Sequence, residues 1–298
     1  MPKFVSRNWD ELYFFSPQVI ISLVVPPLIF WTVAYAIGFW VRRDYPRLLS
    51  VIIGLWSLVP IVFFLIYLRR TAANKKTRWY VWIAVGSAIA LLGGCLLGDM
   101  LWWQNSFSYY RFHDLATYVN IDPESDRGQT FMDAGEVYFA SGTRVDVHRA
   151  VAFKQRDVYC AAPICSEELS SPPPGEDPQP PAAGTQDWWA VGVNCCEPTG
   201  LGFQCEAAGN RLARSGLRLL RDDLRPMFKM AVDQWQSKNG IPVKHPLFFY
   251  WVQDPKMQIN SFMNGGNIFF RSTFIAFTFV NTVLVLLFKG VVVKHYLA

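Results

Sequence analysis

The sequence predicts a membrane protein: an all-α bundle of four transmembrane helices, with a small disulfide-bonded α+β extramembrane domain inserted between the third and fourth helices. Three observations lead to this class. The chain is 52% hydrophobic and only 17% charged, whereas about 25% charged residues is usual for a soluble domain. The apolar residues are concentrated in four long runs. Five of the six cysteines lie in the polar region between the last two runs.

Each of the four runs is long enough to cross a bilayer, because a helix of about 20 residues spans roughly 30 Å of hydrocarbon. They are Gln18–Val41, Leu48–Leu68, Trp79–Trp103 and Ile268–Val293. The first run is too long for a secretory signal peptide and lacks a small-residue cleavage site, so we expect it to remain as a helix. A mean hydropathy of +0.17 for the whole chain agrees with a multi-pass membrane protein.

The runs divide the chain into an N-terminal interfacial segment, three transmembrane helices, an extramembrane domain, and a fourth transmembrane helix with a short tail. These regions are residues 1–17, 18–103, 104–267 and 268–298. The first of them mixes aromatic with charged residues, which is typical of a segment that lies at a membrane surface. The chain is therefore expected to contact the lipid bilayer through its four apolar runs and its first segment.

Charge predicts the orientation in the membrane. The connection Arg69–Arg78 carries five basic residues and no acidic one, which favours the cytoplasmic or stromal side. Both termini then lie on that side, and the large loop lies in an oxidising lumen or in the extracellular space. Within residues 104–267 there are 15 basic and 19 acidic residues, so we expect no nucleic-acid partner. The short connection Arg42–Arg47 has three basic residues on the opposite side, and the bias is not unanimous.

Three residues of the apolar runs are candidates for helix packing. Gly94 and Gly98 form a GxxxG pattern, which lets a second helix backbone approach closely. Asn281 is the only strongly polar residue near the middle of the fourth run, and such residues commonly hydrogen-bond to a neighbouring helix. The partner of the glycines belongs either to the same bundle, which we favour, or to another subunit. Asp99 is expected to reach interfacial water, and no buried ionisable residue is identified to face it.

The large loop contains short segments with the alternation of strands. They are Glu136–Ala140, Ala150–Lys154, Asp157–Ala161, Trp188–Val193 and Gly202–Cys205. Asp222–Lys238 has helical periodicity, with Asp222 or Asp223 as the N-cap. Leu247–Val252 is either a strand or a membrane-facing ridge. Since aromatic residues are enriched at interfaces, three tryptophans are candidate partner-docking residues: Trp188, Trp189 and Trp251.

The cysteines are concentrated around the stretch Asp187–Cys205, and an odd number in the loop leaves at least one unpaired. Neighbouring cysteines rarely bond to each other, so Cys195 and Cys196 are expected to reach different partners. We expect Cys160 to bond with one of them and Cys205 with the other. Cys165 and Cys95 are then the free-thiol candidates. No metal is expected, because CxxC pairs are absent and the histidines are isolated.

No catalytic motif is present, so the sequence argues against an enzyme. The four histidines, at positions 113, 148, 245 and 295, show no mutual spacing. None lies deep in an apolar run, so strong axial ligands for heme or chlorophyll are lacking. The expected cofactors are therefore limited to bound lipid, with weakly ligated chlorophyll or carotenoid as further candidates.

Two resemblances bear on function. Four spans with a large second outer loop and a double cysteine resemble the tetraspanins in architecture. However, Glu197 follows the double cysteine where that family has glycine, and two loop cysteines precede the pair. The segments DAGEVYFASGTRVDVHRAVAFKQRDVYCAAPI, DWWAVGVNCC and FQC are similar to segments in membrane proteins of dinoflagellate-type algae, over residues 133–205. That resemblance carries no activity. It implies a photosynthetic protist, in which four-helix proteins serve as subunits of photosystem and antenna assemblies.

These observations favour a non-catalytic structural or assembly subunit of a larger membrane complex, such as an algal photosystem–antenna supercomplex in the thylakoid. Its partners would be other membrane subunits. None of the eleven asparagines begins an N-x-[ST] sequence, which agrees with the thylakoid lumen better than with a cell surface. The alternative is a stand-alone tetraspanin-like organiser or receptor. A third hypothesis is a transporter or channel.

Overall fold

The computed structural model describes residues 17–73, 78–166 and 184–297. The predicted interfacial segment, apart from Pro17, lies outside the described residues, as do residues 74–77 of the basic connection. The chain divides into two compact units. Met1–Ser108 together with Phe262–Ala298 form the first, here named the helical unit. Tyr109–Ser261 form the second, named the sheet unit.

The prediction of four long apolar helices is confirmed. Each has the length and composition to cross a membrane. The helices of the chain are α1 (Pro17–Gly38), α2 (Trp40–Asp44), α3 (Pro46–Ala72), α4 (Arg78–Leu101), α5 (Phe107–His113), α6 (Arg225–Asn239) and α7 (Pro255–Leu297). The membrane-length helices are α1, α3, α4 and α7. A disulfide-bonded, sheet-containing domain lies between the third and fourth of these.

Two helices continue well beyond the apolar runs that predicted them. The π-helical turn Trp102–Ser106 joins α4 to α5, so the helical path runs to His113. α7 begins at Pro255, whereas its apolar run begins at Ile268. A proline is tolerated in the first turn of a helix. A helix ends where its backbone hydrogen bonds end, and hydropathy does not report that point.

The core of the helical unit lies where α1, α4 and α7 meet. Phe30 of α1 is fully buried and stacks on Phe277 of α7, with ring centroids 4.4 Å apart. Eleven residues of α1 are buried, whereas none of α3 is. α3 therefore contributes only partly buried side chains to this core.

The described residues of the sheet unit form one mixed sheet of eight strands. They are β1 (Ala116–Ile121), β2 (Ala134–Phe139), β3 (Thr143–Val145), β4 (Val151–Lys154), β5 (Val158–Ser166), β6 (Trp188–Val193), β7 (Ser215–Arg218) and β8 (Leu247–Val252). Their spatial order is β1-β2-β7-β8-β6-β5-β3, and β4 also pairs with β5. The pairs β1/β2 and β6/β8 are parallel, and the others are antiparallel.

Helix α6 begins a little later than predicted, and the predicted N-cap is wrong. The N-cap is Leu224, with no side-chain cap. Both aspartates have other partners: Asp223 pairs with Arg221 at 2.7 Å, and Asp222 lies 3.6 Å from Arg225. Both carboxylates thus lie beside the first turn, but neither caps it. The helix terminates at Gly240, whose left-handed backbone (φ +69°) suits glycine.

Among the predicted strands, Trp188–Val193 has the predicted bounds, and Leu247–Val252 is a strand of the sheet rather than a membrane-facing ridge. Gly202–Cys205 is not a strand. β1, β3 and β7 were not predicted, because they are short or weakly apolar. They become strands through pairing with stronger neighbours: β7, for example, lies between β2 and β8.

Candidate functional site

Strand β6 opens the cysteine-rich stretch Asp187–Cys205 and lies between β5 and β8. Successive side chains of a strand point to opposite faces, so Trp188 and Trp189 enter two different cores. Trp188 stacks on Phe249, with centroids 5.7 Å apart. Trp189 meets Trp235 of α6 edge to face at 5.0 Å. Both faces of β6 are therefore covered.

This burial corrects the prediction that Trp188, Trp189 and Trp251 are docking residues. Their exposed fractions are 0%, 0% and 2%, so a partner cannot reach them in the folded domain. Trp188 Nε1 donates to the Asp126 carbonyl at 2.8 Å, and Trp189 Nε1 donates to the Gln186 carbonyl at 3.1 Å. Two adjacent buried tryptophans indicate a strand with both faces covered, not a surface anchor.

The carboxylate of Asp187, just before β6, joins three segments of the sheet unit. Oδ2 accepts hydrogen bonds from the Gly128 amide at 3.1 Å and from the Thr185 hydroxyl at 3.2 Å. Oδ1 accepts from the amides of Lys244 and His245, at 3.2 and 3.1 Å. Asp187 is 2% exposed. A buried carboxylate is stable in such a place because four donors replace its water.

Two disulfide bonds follow β6, and each joins one member of the adjacent cysteine pair to a cysteine outside it. The bonds are Cys160–Cys196 and Cys195–Cys205. They close loops of 36 and 10 residues in sequence separation. By restricting the unfolded chain, each bond contributes about 2–4 kcal/mol to stability. The stretch therefore fixes the end of β6 to β5 and to its own following loop.

Local backbone geometry allows the sulfurs to pack over the strand. Asn194 has a left-handed backbone (φ +56°), which asparagine tolerates better than most residues. Its side-chain oxygen accepts from the Val158 amide at 2.9 Å, which holds the turn. Gly192 lies directly beneath the bonds, because a Cβ there would be 2.7 Å from Cys205 Sγ. Only glycine fits this position.

The sulfur cluster has the proximity of a metal site but not its chemistry. The Sγ atoms of Cys160, Cys195 and Cys205 all lie within 4.8 Å of one another. Zinc sites need thiolates, and these three sulfurs are in disulfides. As long as the bonds are intact, the cluster serves as a covalent connection.

The free thiols are Cys95, in α4, and Cys165, which is buried in β5. Arg149 Nη2 lies 3.7 Å from Cys165 Sγ, and Arg149 also pairs with the buried carboxylate of Asp146. Burial first, and then the Asp146 charge, raise the pKa of Cys165 to about 12. Because the thiolate is the nucleophile, Cys165 is chemically inert in the folded domain.

Arg218 of β7 is a buried cation that sequence reasoning missed. It is 7% exposed, and its guanidinium carbon lies 5.5 Å from the Phe249 ring centroid. Its Nη1 has no hydrogen-bond partner among the described residues. Burial, and then Arg225, lower the pKa of Arg218 to about 10. Nothing in SGLR marks this arginine in the sequence, since its environment is built from other strands.

In the helical unit, the glycines of the GxxxG pattern face α1 of the same chain. A Cβ at Gly94 would lie 3.2 Å from the Phe30 carbonyl oxygen. A Cβ at Gly98 would lie 3.0 Å from the Ala34 carbonyl oxygen and 2.9 Å from Ile37 Cβ. The two backbones therefore approach as closely as small residues allow.

Asn281 joins α7 to α1 at a proline. Pro26 has no N–H, so the carbonyl of Ser22, four residues earlier, lacks its normal helical donor. Asn281 Nδ2 donates to that Ser22 oxygen at 3.2 Å. Such compensation is needed in hydrocarbon, where no water can satisfy a freed carbonyl.

Asp99 has an ionic partner that the sequence did not reveal. Arg42, in the short connection after α1, lies 2.6 Å from Asp99 Oδ1. Its guanidinium carbon also lies 5.2 Å and 5.8 Å from the ring centroids of Trp102 and Trp103. Arg42 belongs to the short connection and not to the middle of a span, so the expectation that no buried ionisable residue faces Asp99 is not contradicted. Both charged side chains remain partly exposed, at 27% and 53%, as an interfacial pair would be.

Comparison of the chain with models of protein families, with curated proteins and with solved structures found no match. Function must therefore be argued from the geometry above.

Proposed function

We propose that the chain is a non-catalytic structural subunit of a larger membrane complex, and that α3 is the helix that docks against a partner subunit. The observation that carries this proposal is a stripe of exposed aliphatic side chains on α3. Its members are Leu48, Val51, Leu55, Leu58, Val62 and Leu65, each 46–61% exposed. We name it the α3 stripe.

The α3 stripe has a spacing that suits helix pairing. Its members alternate by three and four residues, which is the a/d repeat of two helices packed knobs into holes. A different face of α3, containing Leu49, Ile53, Trp56 and Val59, packs against the core of the helical unit. The stripe therefore remains available to a helix of another subunit.

The orientation that we propose for this subunit rests on the basic residues of its two short connections. The connection Arg42–Arg47 has three basic residues at one end of the bundle, and the connection Arg69–Arg78 has five at the other. The connection Arg69–Arg78 at the other end has no acidic residue. This asymmetry supports the cytoplasmic or stromal side for the termini. Disulfides persist in oxidising compartments, which agrees with a lumenal or extracellular sheet unit.

The finer assignment, a subunit of a photosystem–antenna assembly in an algal thylakoid, rests on the resemblance of residues 133–205 alone. We propose it as the first membrane in which to look. Cell fractionation separates it from the tetraspanin-like alternative, which predicts the plasma membrane.

To test the proposal, native membranes are solubilised in a mild detergent. The mass of the complex is then measured by native mass spectrometry. We expect the chain to be found in a complex with other membrane subunits. The mass of that complex should be well above the 34.1 kDa of the chain alone. A monomeric chain without protein partners under these conditions would contradict the proposed role.

A further inference from the structure

A cavity of about 150 Å³ lies inside the helical unit between α1, α4 and α7. Its walls are apolar except at two residues, Ser22 and Asn281. All of its lining residues belong to membrane-length helices. The substances that can enter it are therefore the components of the bilayer.

The cavity adjoins a position that has no side chain. Gly86 of α4 has no side chain, and a Cβ there would meet only the Pro26 ring, at 3.6 Å. On the opposite side the wall is formed by the Phe277 ring, which is held in place by stacking on Phe30. A void lined by rigid rings does not collapse, and an apolar cavity of this size in another protein binds a benzene-sized molecule.

Asn281 gives the cavity one polar anchor. Its Nδ2 is engaged by the Ser22 carbonyl. Among the described residues its Oδ1 accepts no hydrogen bond and is not fully buried, so it keeps its capacity to accept. An amide oxygen without a donor is costly in hydrocarbon. A ligand with a hydroxyl group would remove this cost, and a plain hydrocarbon would not.

The cavity is accessible from the side of the bundle. Four of its lining residues are also exposed on the surface of the helical unit, with exposed fractions of 45–58%. They are Val85, Ile89, Val280 and Leu284. A lipid can thus enter laterally, with only one end inside the cavity.

We propose that this cavity is a binding site for a membrane lipid with a hydrocarbon body and a single hydroxyl group. The hydroxyl donates to Asn281 Oδ1, and the hydrocarbon next to it fills the space beside Gly86 and Phe277. Sterols and isoprenoid alcohols share this chemistry. The site does not depend on the proposed subunit role, because all of its walls come from one chain.

The test uses the full chain in phosphatidylcholine vesicles that contain a diazirine-bearing sterol or, separately, a diazirine-bearing isoprenoid alcohol. Cross-linked residues are mapped by mass spectrometry. We expect saturable labelling of cavity residues such as Ile83 and Val280 by one of the two probes, which identifies the source. The unlabelled alcohol should compete about fivefold better than its hydroxyl-free hydrocarbon, as one hydrogen bond predicts. Equal competition, or no saturable labelling by either probe, would overturn the proposal.

A matched pair of variants locates the site. Gly86→Leu fills the cavity, and saturable labelling of its walls should be lost. Gly54→Leu makes the same change on α3, where a Cβ meets nothing within 4 Å, and labelling should be retained. Unchanged labelling in Gly86→Leu would show that the lipid binds elsewhere. If that variant does not fold, the competition experiment on the unaltered chain still decides.

Discussion

The two units of the chain place their large apolar side chains in opposite ways. The sheet unit puts Trp188, Trp189 and Trp251 in its interior, with exposed fractions of 0–2%. The helical unit leaves Leu55 and Leu96 61% and 72% exposed. The sheet unit thus buries its aromatic residues in its own interior. The helical unit instead needs lipid or another subunit to cover its exposed apolar side chains. Contacts with partners are therefore to be sought along the helices, not at the tryptophans.

The largest expected effect is in the interior of the sheet unit. Trp188→Ala should destabilise it by about 3–5 kcal/mol, because it leaves a cavity between Phe249 and the neighbouring rings. Leu96→Ala in the helical unit should change stability by less than about 0.5 kcal/mol. Thermal unfolding followed by near-UV circular dichroism measures both. If Trp188→Ala left stability unchanged and abolished assembly, the contrast between the units would be wrong.

The second-largest effect on stability is expected where α1 and α4 pack closely. Gly98→Leu should cost about 3 kcal/mol, since its side chain meets the Ala34 backbone and Ile37. Gly54→Leu on α3, in open space, is the control and should be nearly neutral. Unfolding midpoints in detergent compare the two. Similar midpoints would mean that the glycines of α4 do not face α1.

A smaller effect is expected where Asn281 of α7 supplies the hydrogen-bond donor that Pro26 of α1 lacks. Asn281→Leu should cost about 1 kcal/mol, because the Ser22 carbonyl loses its donor. Pro26→Ala restores a helical N–H to that carbonyl, so Asn281→Leu should cost less in the Pro26→Ala background. A double-mutant cycle measures the difference. Strictly additive effects would show that the hydrogen bond is not coupled to the proline.

The smallest effect concerns Cys165 in the sheet interior. Its pKa is raised to about 12 when folded, against about 8.5 when unfolded. The folded state therefore holds the proton more tightly. The resulting stability is fully present below pH 8.5 and is lost as the pH rises towards 12. At pH 9 the domain should therefore be less stable than at pH 7, by less than about 1 kcal/mol.

Chemical unfolding at the two pH values checks this dependence, and Cys165→Ala serves as the control that should remove it. In the unaltered domain, Cys165 should also resist alkylation at pH 8 until the domain is unfolded. Rapid alkylation of the native domain would contradict its assignment as a buried, protonated thiol.

Much of this architecture could be predicted because it depends on local composition. The four apolar runs predicted the four helices, and the short apolar segment WWAVGV predicted β6. β7, in contrast, has the weakly apolar sequence SGLR and is a strand only because β2 and β8 flank it. β7 therefore cannot be predicted from its own short segment, because it forms a strand only through its neighbours in the sheet.

The same distinction holds for the site residues. Adjacency of Cys195 and Cys196 identified the four bonded cysteines, but which one reaches Cys160 depends on the register that sets Cys160 opposite Gly192. The Arg42–Asp99 pair joins positions 57 residues apart, and Asn281 reaches Ser22 across 259 residues. The tryptophans were misjudged because aromatic content does not report burial.

Docking of partner subunits on the α3 stripe can be tested by native mass spectrometry of two variants of the same helix. Leu55→Ala/Leu58→Ala/Val62→Ala removes three side chains of the stripe. Ile61→Ala/Phe64→Ala/Leu68→Ala removes three comparably exposed side chains from another face. We predict that the first variant is released from its complex while the second remains assembled. Retention of the complex by the first variant, or equal loss in both, would contradict it.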